Sequence, residues 1–145
     1  MRLHYLLSAA ILIVVPQVQA QRFVDVPVAG ADYTFMSVAP SQGAGLTAFS
    51  FENKGKVRHE LVLVRLRPGV TPDSVVRVAQ TGTPPFGLIE AVSGVLIAEA
   101  GQTADGRLLV DLLSGRIYML VCNFRDAPDK PPHIALGMVA SFQVK

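Results

Sequence analysis

Residues 107–122 read RLLVDLLSGRIYMLVC. Two apolar runs, Arg107–Leu113 and Arg116–Cys122, flank a Ser-Gly turn, and this arrangement is typical of a β-hairpin. Glycine and proline also recur through most of the remaining chain, so its apolar runs are short. Short apolar runs separated by turn residues favour β-strands over a helix bundle. The region therefore predicts an all-β domain in which the only cysteine, Cys122, stands at the end of a strand.

Further strands are predicted on both sides of this region, and one helix lies between them. The helix is predicted to begin at Pro72, because Thr71 is a favourable N-cap and proline is preferred at the first helical position. Residues 88–98 fit either a helix or a strand. Seven short strands and one inserted helix predict a two-sheet Greek-key β-sandwich. Outside residues 107–122, the predicted strands are Arg22–Val28, Tyr33–Ala39, Leu46–Glu52, His59–Arg67 and Met138–Val144.

Length and composition limit the chemistry that this chain can perform. Its 145 residues are enough for one domain, and its net charge of +2 comes without any basic run, so nucleic acid is not an expected partner. A single cysteine excludes an internal disulfide and any multi-cysteine zinc or iron–sulfur site. Three histidines are too few for a multinuclear copper centre. The chain has no glycine-rich phosphate loop, and Glu60 and Asp126 are not an evident carboxylate pair.

Residues 1–20 have the pattern of a secretory signal peptide. Arg2 gives a short positive start, residues 6–15 are apolar, and Val18-Gln19-Ala20 suits a signal peptidase. We therefore expect a mature domain of residues 21–145 in the periplasm or cell exterior, without a membrane span. An uncleaved membrane anchor is the alternative. Cleavage leaves two histidines, and it leaves a free thiol in an oxidising compartment, which is a liability unless the thiol is buried or bound.

The rare side chains of the expected mature domain fall at strand ends. His59 begins a predicted strand, Cys122 ends one, Met138 begins the last, and His133 lies in the loop between those two. If the His59 strand runs antiparallel to the Cys122 strand, all four residues lie at one pole of the sandwich. Two imidazoles, a thiolate and a weak thioether are the ligands of a blue copper site. Zinc is a poorer fit because of the methionine.

Three segments carry a resemblance to a known family. The segments are Asn53–His59 (NKGKVRH), Gly115–Cys122 (GRIYMLVC) and His133–Met138 (HIALGM). Together they resemble the motifs of the cupredoxins, which are type 1 copper proteins. The sequence departs from the family in the ten residues between Cys122 and His133, and in a glutamate, Glu60, where many small electron carriers have asparagine.

The resemblance implies an exported one-electron carrier, not an enzyme, that binds one type 1 copper ion. Cys122 is then the thiolate ligand, His59 the buried imidazole, His133 the more exposed imidazole through which electrons pass, and Met138 the weak axial ligand. The apolar surface near His133, together with Phe86 if its loop reaches this pole, suits brief docking of protein redox partners. We expect the protein to be a monomer.

Each residue also has an ordinary interpretation. Cys122 and Met138 fit a hydrophobic core, as do Met36 and Met119, while His59 fits a structural histidine and His133 a solvated one. A cysteine–histidine nucleophile pair would lack a recognisable orienting residue. The alternative functions are therefore a copper carrier or chaperone, or a metal-free interaction module with the same fold.

Overall fold

The computed structural model describes residues 22–145, and its framework is nine strands in two sheets. The first sheet contains β1 (Val24–Ala31), β2 (Thr34–Met36), β4 (Gly45–Asn53) and β7 (Leu108–Leu112). The second contains β3 (Ser41–Gln42), β5 (His59–Leu66), β6 (Ile89–Ala98), β8 (Ile117–Val121) and β9 (Val139–Val144). The strand order is β2-β1-β4-β7 in the first sheet and β3-β9-β8-β5-β6 in the second. The predicted signal peptide, residues 1–20, lies outside the described residues.

Three helical segments accompany the sheets. They are α1 (Pro72–Gln80) and two short 3-10 helices, Pro85–Leu88 and His133–Leu136. The predicted start of α1 is confirmed, since Thr71 has extended backbone geometry and its Oγ1 accepts from the N–H of Ser74. Among residues 22–145, no helix combines the length and the apolar character needed to cross a bilayer.

The main core lies between the two sheets. Alternating residues of β4 and β5 point inward, and the rings of Tyr118 and Phe142 stack at 5.7 Å between centroids. A second apolar cluster lies on the other face of the five-stranded sheet, where Val75 and Ala79 of α1 pack with Ile134. The helix therefore supports the short helix that begins at His133. Residues of the main core include Val28, Phe49, Phe51, Leu61, Leu63, Leu112, Tyr118, Leu120 and Phe142.

The predicted two-sheet Greek-key sandwich with one inserted helix is confirmed, and residues 89–98 form a strand. The prediction missed the two-residue strand β3. It also missed the parallel pairings of β1 with β4 and of β3 with β9, which make both sheets mixed. Met119 is buried as expected, but the prediction for Met36 was wrong, because it is 37% exposed at the end of the edge strand β2.

The predicted hairpin at Leu113-Ser114-Gly115 is also wrong. The strand before this turn, β7, pairs with β4, whereas the strand after it, β8, pairs with β5 and β9 in the other sheet. The turn itself is present, since the N–H of Arg116 donates to Leu113 and the φ of Gly115 is 76°. It carries the chain from one sheet to the other and directs β8 toward the pole where Cys122 lies.

Candidate metal centre

Strand directions bring the predicted ligands to one pole of the sandwich. β5 and β8 are antiparallel, with Val62 opposite Val121, so the start of β5 lies beside the end of β8. β8 and β9 are also antiparallel, with Val121 opposite Val139. His59 opens β5 as predicted, whereas Cys122 and Met138 each lie one residue outside their strands. The antiparallel arrangement on which the predicted site depended is therefore present.

Three donor atoms form a closed triangle at this pole. The Nδ1 atoms of His59 and His133 are 3.1 Å apart, and Sγ of Cys122 is 3.8 Å from the first and 3.4 Å from the second. A triangle with these sides has one point in its plane about 2.0 Å from every corner, close to the metal–nitrogen and metal–sulfur distances of about 2.0–2.3 Å in proteins. All three residues are buried. One metal ion therefore fits among them.

The outer ring nitrogens of the two histidines face carboxylates at different distances. Nε2 of His133 lies 3.0 Å from Oδ1 of Asp126, and Nε2 of His59 lies 3.5 Å from Oδ1 of Asp32. Because an ionised carboxylate only accepts hydrogen bonds, Asp126 favours a proton on Nε2 of His133 and a lone pair on its Nδ1. Nε2 of His59 has no such partner among the described residues. The Nδ1 lone pair of His133 therefore faces Nδ1 of His59 across 3.1 Å, where a cation would bind both nitrogens.

Burial affects the protonation of two of the candidate ligands, His59 and Cys122. It favours the neutral imidazole that a metal needs, and it keeps the thiol protonated until a metal binds. Burial lowers the pKa of His59, which keeps its imidazole neutral near pH 7. Burial raises the pKa of the Cys122 thiol to about 11, although the backbone N–H of Glu60, 3.4 Å from Sγ, acts in the opposite sense. Such a thiol is a poor free nucleophile. Binding of a metal cation would favour the thiolate and release the thiol proton.

Several solved structures have the same fold as this chain. No protein-family model matches the chain, and no curated protein matches it in sequence. Auracyanin B superposes with a TM-score of 0.57 at 21% identity, covering 88% of this chain and 93% of its own. Auracyanin A, a "blue" copper protein from Chloroflexus aurantiacus, gives 0.52 at 16% identity and coverages of 84% and 98%. Rusticyanin from Thiobacillus ferrooxidans gives 0.51 at 17% identity and coverages of 83% and 77%.

This chain has a cupredoxin fold. At these identities the similarity establishes the fold alone, so the chemistry of the pole rests on the residues of this chain. His59, Cys122 and His133 supply the two-imidazole, one-thiolate donor set that fits a type 1 copper site. Met138 is buried in the same segment, with its N–H donating to the carbonyl of His133 at 2.9 Å and its carbonyl accepting from Cys122 at 3.3 Å.

Asn53 fixes the loop that leads into His59 in this cupredoxin fold. Its buried side chain donates to the carbonyls of Val57 at 2.8 Å and Ala98 at 3.0 Å, and accepts from the N–H of Gly55 at 2.9 Å. A Cβ on Gly55 would lie 3.0 Å from Nε2 of His59, so any larger residue would have to displace the ring or the loop. The asparagine and glycine of the NKGKVRH segment therefore have a direct structural role.

The two departures from the cupredoxin pattern leave the pole intact. Glu60 gives its backbone N–H to Sγ of Cys122, and its Oε1 accepts from the N–H of Asn123 at 2.9 Å. The long loop after Cys122 folds back as the sequence required. The N–H of His133 donates to the carbonyl of Phe124 at 2.8 Å, and that of Ile134 to the carbonyl of Cys122 at 2.7 Å. These bonds return His133 to the cysteine.

His133 was expected to be the more exposed imidazole, but both ligand histidines are buried. Its exposed fraction is 1%, compared with 0% for His59. The cause is a cover that the sequence analysis missed, formed by Asp126 on Nε2 and by Tyr33, whose ring lies edge-on at 5.0 Å between centroids. Asp126 lies in the loop between Cys122 and His133, and this position in the sequence could have indicated a carboxylate close to the ligands. Tyr33 gave none, because it comes from a turn of the opposite sheet.

The surface beside this cover exposes two apolar side chains, Phe86 and Leu136. Phe86, 77% exposed, lines one cavity together with Pro132 and Ile134, so its loop does reach this pole. Leu136 is also exposed. The cavity is bounded on one side by Arg125. The apolar surface expected from Pro131, Pro132, Ile134, Ala135 and Leu136 is present only in part, because Ile134 is buried and packs with α1.

Proposed function

We propose that the protein binds one copper ion and carries single electrons. The ligands are Nδ1 of His59, Nδ1 of His133 and Sγ of Cys122, with the thioether of Met138 as a weak axial ligand. The donor triangle carries this proposal, because its shape accepts one ion and its atom types suit both copper oxidation states. When bound, copper supplies a one-electron couple between Cu(I) and Cu(II).

The residues around the triangle limit how far the ligands can move. His59 begins a paired strand, and the backbone of Cys122 is bonded to Met138 and Ile134. His133 is tied to Phe124 by its backbone N–H. Ligands held in this way keep nearly the same positions when the charge of the ion changes, which favours rapid electron transfer over catalysis on a bound substrate.

We further propose how the carrier meets its partners and where it works. Tyr33 and Asp126 cover the centre, and exposed apolar residues lie nearby, with Leu136 in the helix that begins at His133 and Phe86 beside Pro132. Brief docking of a protein redox partner suits such a surface. Residues 1–20 support export as a cleaved signal peptide, leaving a monomeric domain of residues 21–145 in the periplasm or cell exterior.

The test is titration of the purified protein with Cu(II). An electron carrier should take up one equivalent and develop intense visible absorption from thiolate-to-copper charge transfer. Cys122→Ser should abolish that absorption. Met138→Leu should change the reduction potential. Met119→Leu is the matched control, because Met119 is buried in the second apolar cluster, and it should leave the potential unchanged.

Two other outcomes would redirect the proposal. A protein that binds Cu(I) tightly but never forms the blue Cu(II) state would be a copper carrier. A protein that takes up no copper and keeps its thiol free would be a metal-free module with a cupredoxin fold. Either result would refute electron transfer as the function.

A further inference from the structure

The carboxylate of Asp126 is held between the centre and the surface. Oδ1 lies 3.0 Å from Nε2 of His133, and Oδ2 accepts a hydrogen bond of 2.5 Å from the hydroxyl of Tyr33. Both oxygens of the carboxylate are therefore engaged, although its side chain is 33% exposed. A side chain of the ligand loop is thus fixed by a residue from the other sheet.

Tyr33 is itself held in an uncommon conformation. It lies in the turn between β1 and β2 with a φ of 63°, in the left-handed region that non-glycine residues seldom adopt. Its ring contacts the His133 ring edge-on at 5.0 Å and lies 6.3 Å from the His59 ring. Residues in such backbone conformations persist where surrounding contacts fix them. Here the fixed group is the hydroxyl donor to Asp126.

The two histidines do not have equal partners. Oδ1 of Asp32 lies 3.5 Å from Nε2 of His59, and the same oxygen accepts a backbone hydrogen bond of 2.7 Å from Lys56. In the described residues, Nε2 of His59 has no partner within hydrogen-bond geometry. Asp126, at 3.0 Å, has the hydrogen bond that Asp32 lacks. His133 is therefore the ligand whose electronic state a carboxylate can control most directly.

We propose that Asp126, held by Tyr33, is a positioning residue for His133 that favours the oxidised form of the centre. It keeps the proton on Nε2, so that the Nδ1 lone pair faces the other two donors. Its negative charge also makes the imidazole a stronger donor, which stabilises Cu(II) more than Cu(I). The effect on the two copper states rests on the proposed copper function, whereas the effect on the tautomer does not.

The charge on Asp126 is present under ordinary conditions. A carboxyl group is ionised near neutral pH, and here both of its oxygens lie where they accept hydrogen bonds, from Tyr33 and from His133. Partners of this kind behind a metal-bound histidine affect metal affinity by about 10- to 100-fold when removed. If loss of the charge weakens Cu(II) binding about tenfold more than Cu(I) binding, the potential rises by about 59 mV for a one-electron couple.

The first experiment compares two variants of the copper-loaded protein. Asp126→Asn keeps the size of the side chain and removes its charge. Asp129→Asn, in the same loop and exposed, makes the same change in net charge away from the ligand. We expect Asp126→Asn to lower the Cu(II)-to-Cu(I) affinity ratio about tenfold and Asp129→Asn to change it less than twofold. Equal changes in the two variants would overturn the proposal.

The second experiment needs no metal. Nitrogen-15 NMR of the metal-free wild-type protein reports which ring nitrogen of His133 carries the proton. We expect the proton on Nε2, with a strongly downfield N–H resonance that moves upfield in Asp126→Asn. A proton on Nδ1 in the wild-type protein would refute the positioning role. A protein that takes up no copper but shows Nε2–H on His133 would refute the proposed function and still support Asp126 as its positioning residue.

Discussion

Replacing Asn53 by alanine should destabilise the protein more than the same replacement of an exposed asparagine. Its side chain is fully buried and makes three hydrogen bonds, which join the loop before β5 to the end of β6. Alanine removes all three and leaves the carbonyls of Val57 and Ala98 without that donor. The affected loop is the one that delivers His59 to the centre.

The magnitude follows from those three bonds. Three hydrogen bonds at about 1 kcal/mol net each give about 3 kcal/mol, and a carbonyl that stays dry adds about 2 kcal/mol. The free energy of unfolding should therefore fall by about 3–5 kcal/mol, a large part of the roughly 5–15 kcal/mol typical of a domain. At about 4 °C per kcal/mol, the lower figure corresponds to a decrease in Tm of about 12 °C.

Urea denaturation of the metal-free protein, followed by circular dichroism, measures this change directly. Asn123→Ala is the matched control, because that side chain is exposed and the backbone N–H that donates to Glu60 is retained. The control should lie within about 0.5 kcal/mol of wild type. If Asn53→Ala loses less than about 1 kcal/mol, the hydrogen bonds described for Asn53 do not hold this loop.

The remaining predictions concern the same pole. In Gly55→Ala, the new Cβ would lie 2.4 Å from Oδ1 of Asp32 and 3.0 Å from Nε2 of His59, so we expect a loss of about 1–3 kcal/mol and weaker copper binding. Gly43→Ala, whose Cβ meets nothing within 4 Å, is the control for both measurements. Because the pKa of Cys122 is raised to about 11, the unfolded chain loses its thiol proton first, and the contribution of Cys122 to the stability of the metal-free protein should be lost as the pH rises from 9 to 11. Urea midpoints against pH measure this, and a Cys122→Ser variant with the same slope would contradict it.

Features with local sequence signals could be predicted. The N-cap and proline at Thr71 and Pro72 define the start of α1 at the residue where the structure begins it. His59, Cys122, His133 and Met138 come to one pole because strand ends and connecting loops constrain where neighbouring residues can lie. That inference needed only the direction of β5 relative to β8, which the structure supplies.

Features that depend on distant partners could not be predicted. A Ser-Gly turn looks the same whether its flanking strands pair with each other or enter different sheets, and the partners of β7 and β8 decide the matter. The parallel pairing of β1 with β4 likewise depends on a segment about twenty residues away. Strand β3 is two residues long and has no periodicity to detect.

The burial of His133 shows the same dependence and changes how the proposed carrier would work. A histidine in a proline-rich loop looks solvated in sequence, but Tyr33 from the opposite sheet and Asp126 from the loop cover it. Since 1% of His133 is exposed, an electron that leaves the centre by this route must cross the covering residues. The same residues would shield a bound ion from water and external anions. If the protein carries electrons as proposed, a redox partner would approach this cover and the neighbouring apolar surface at Phe86.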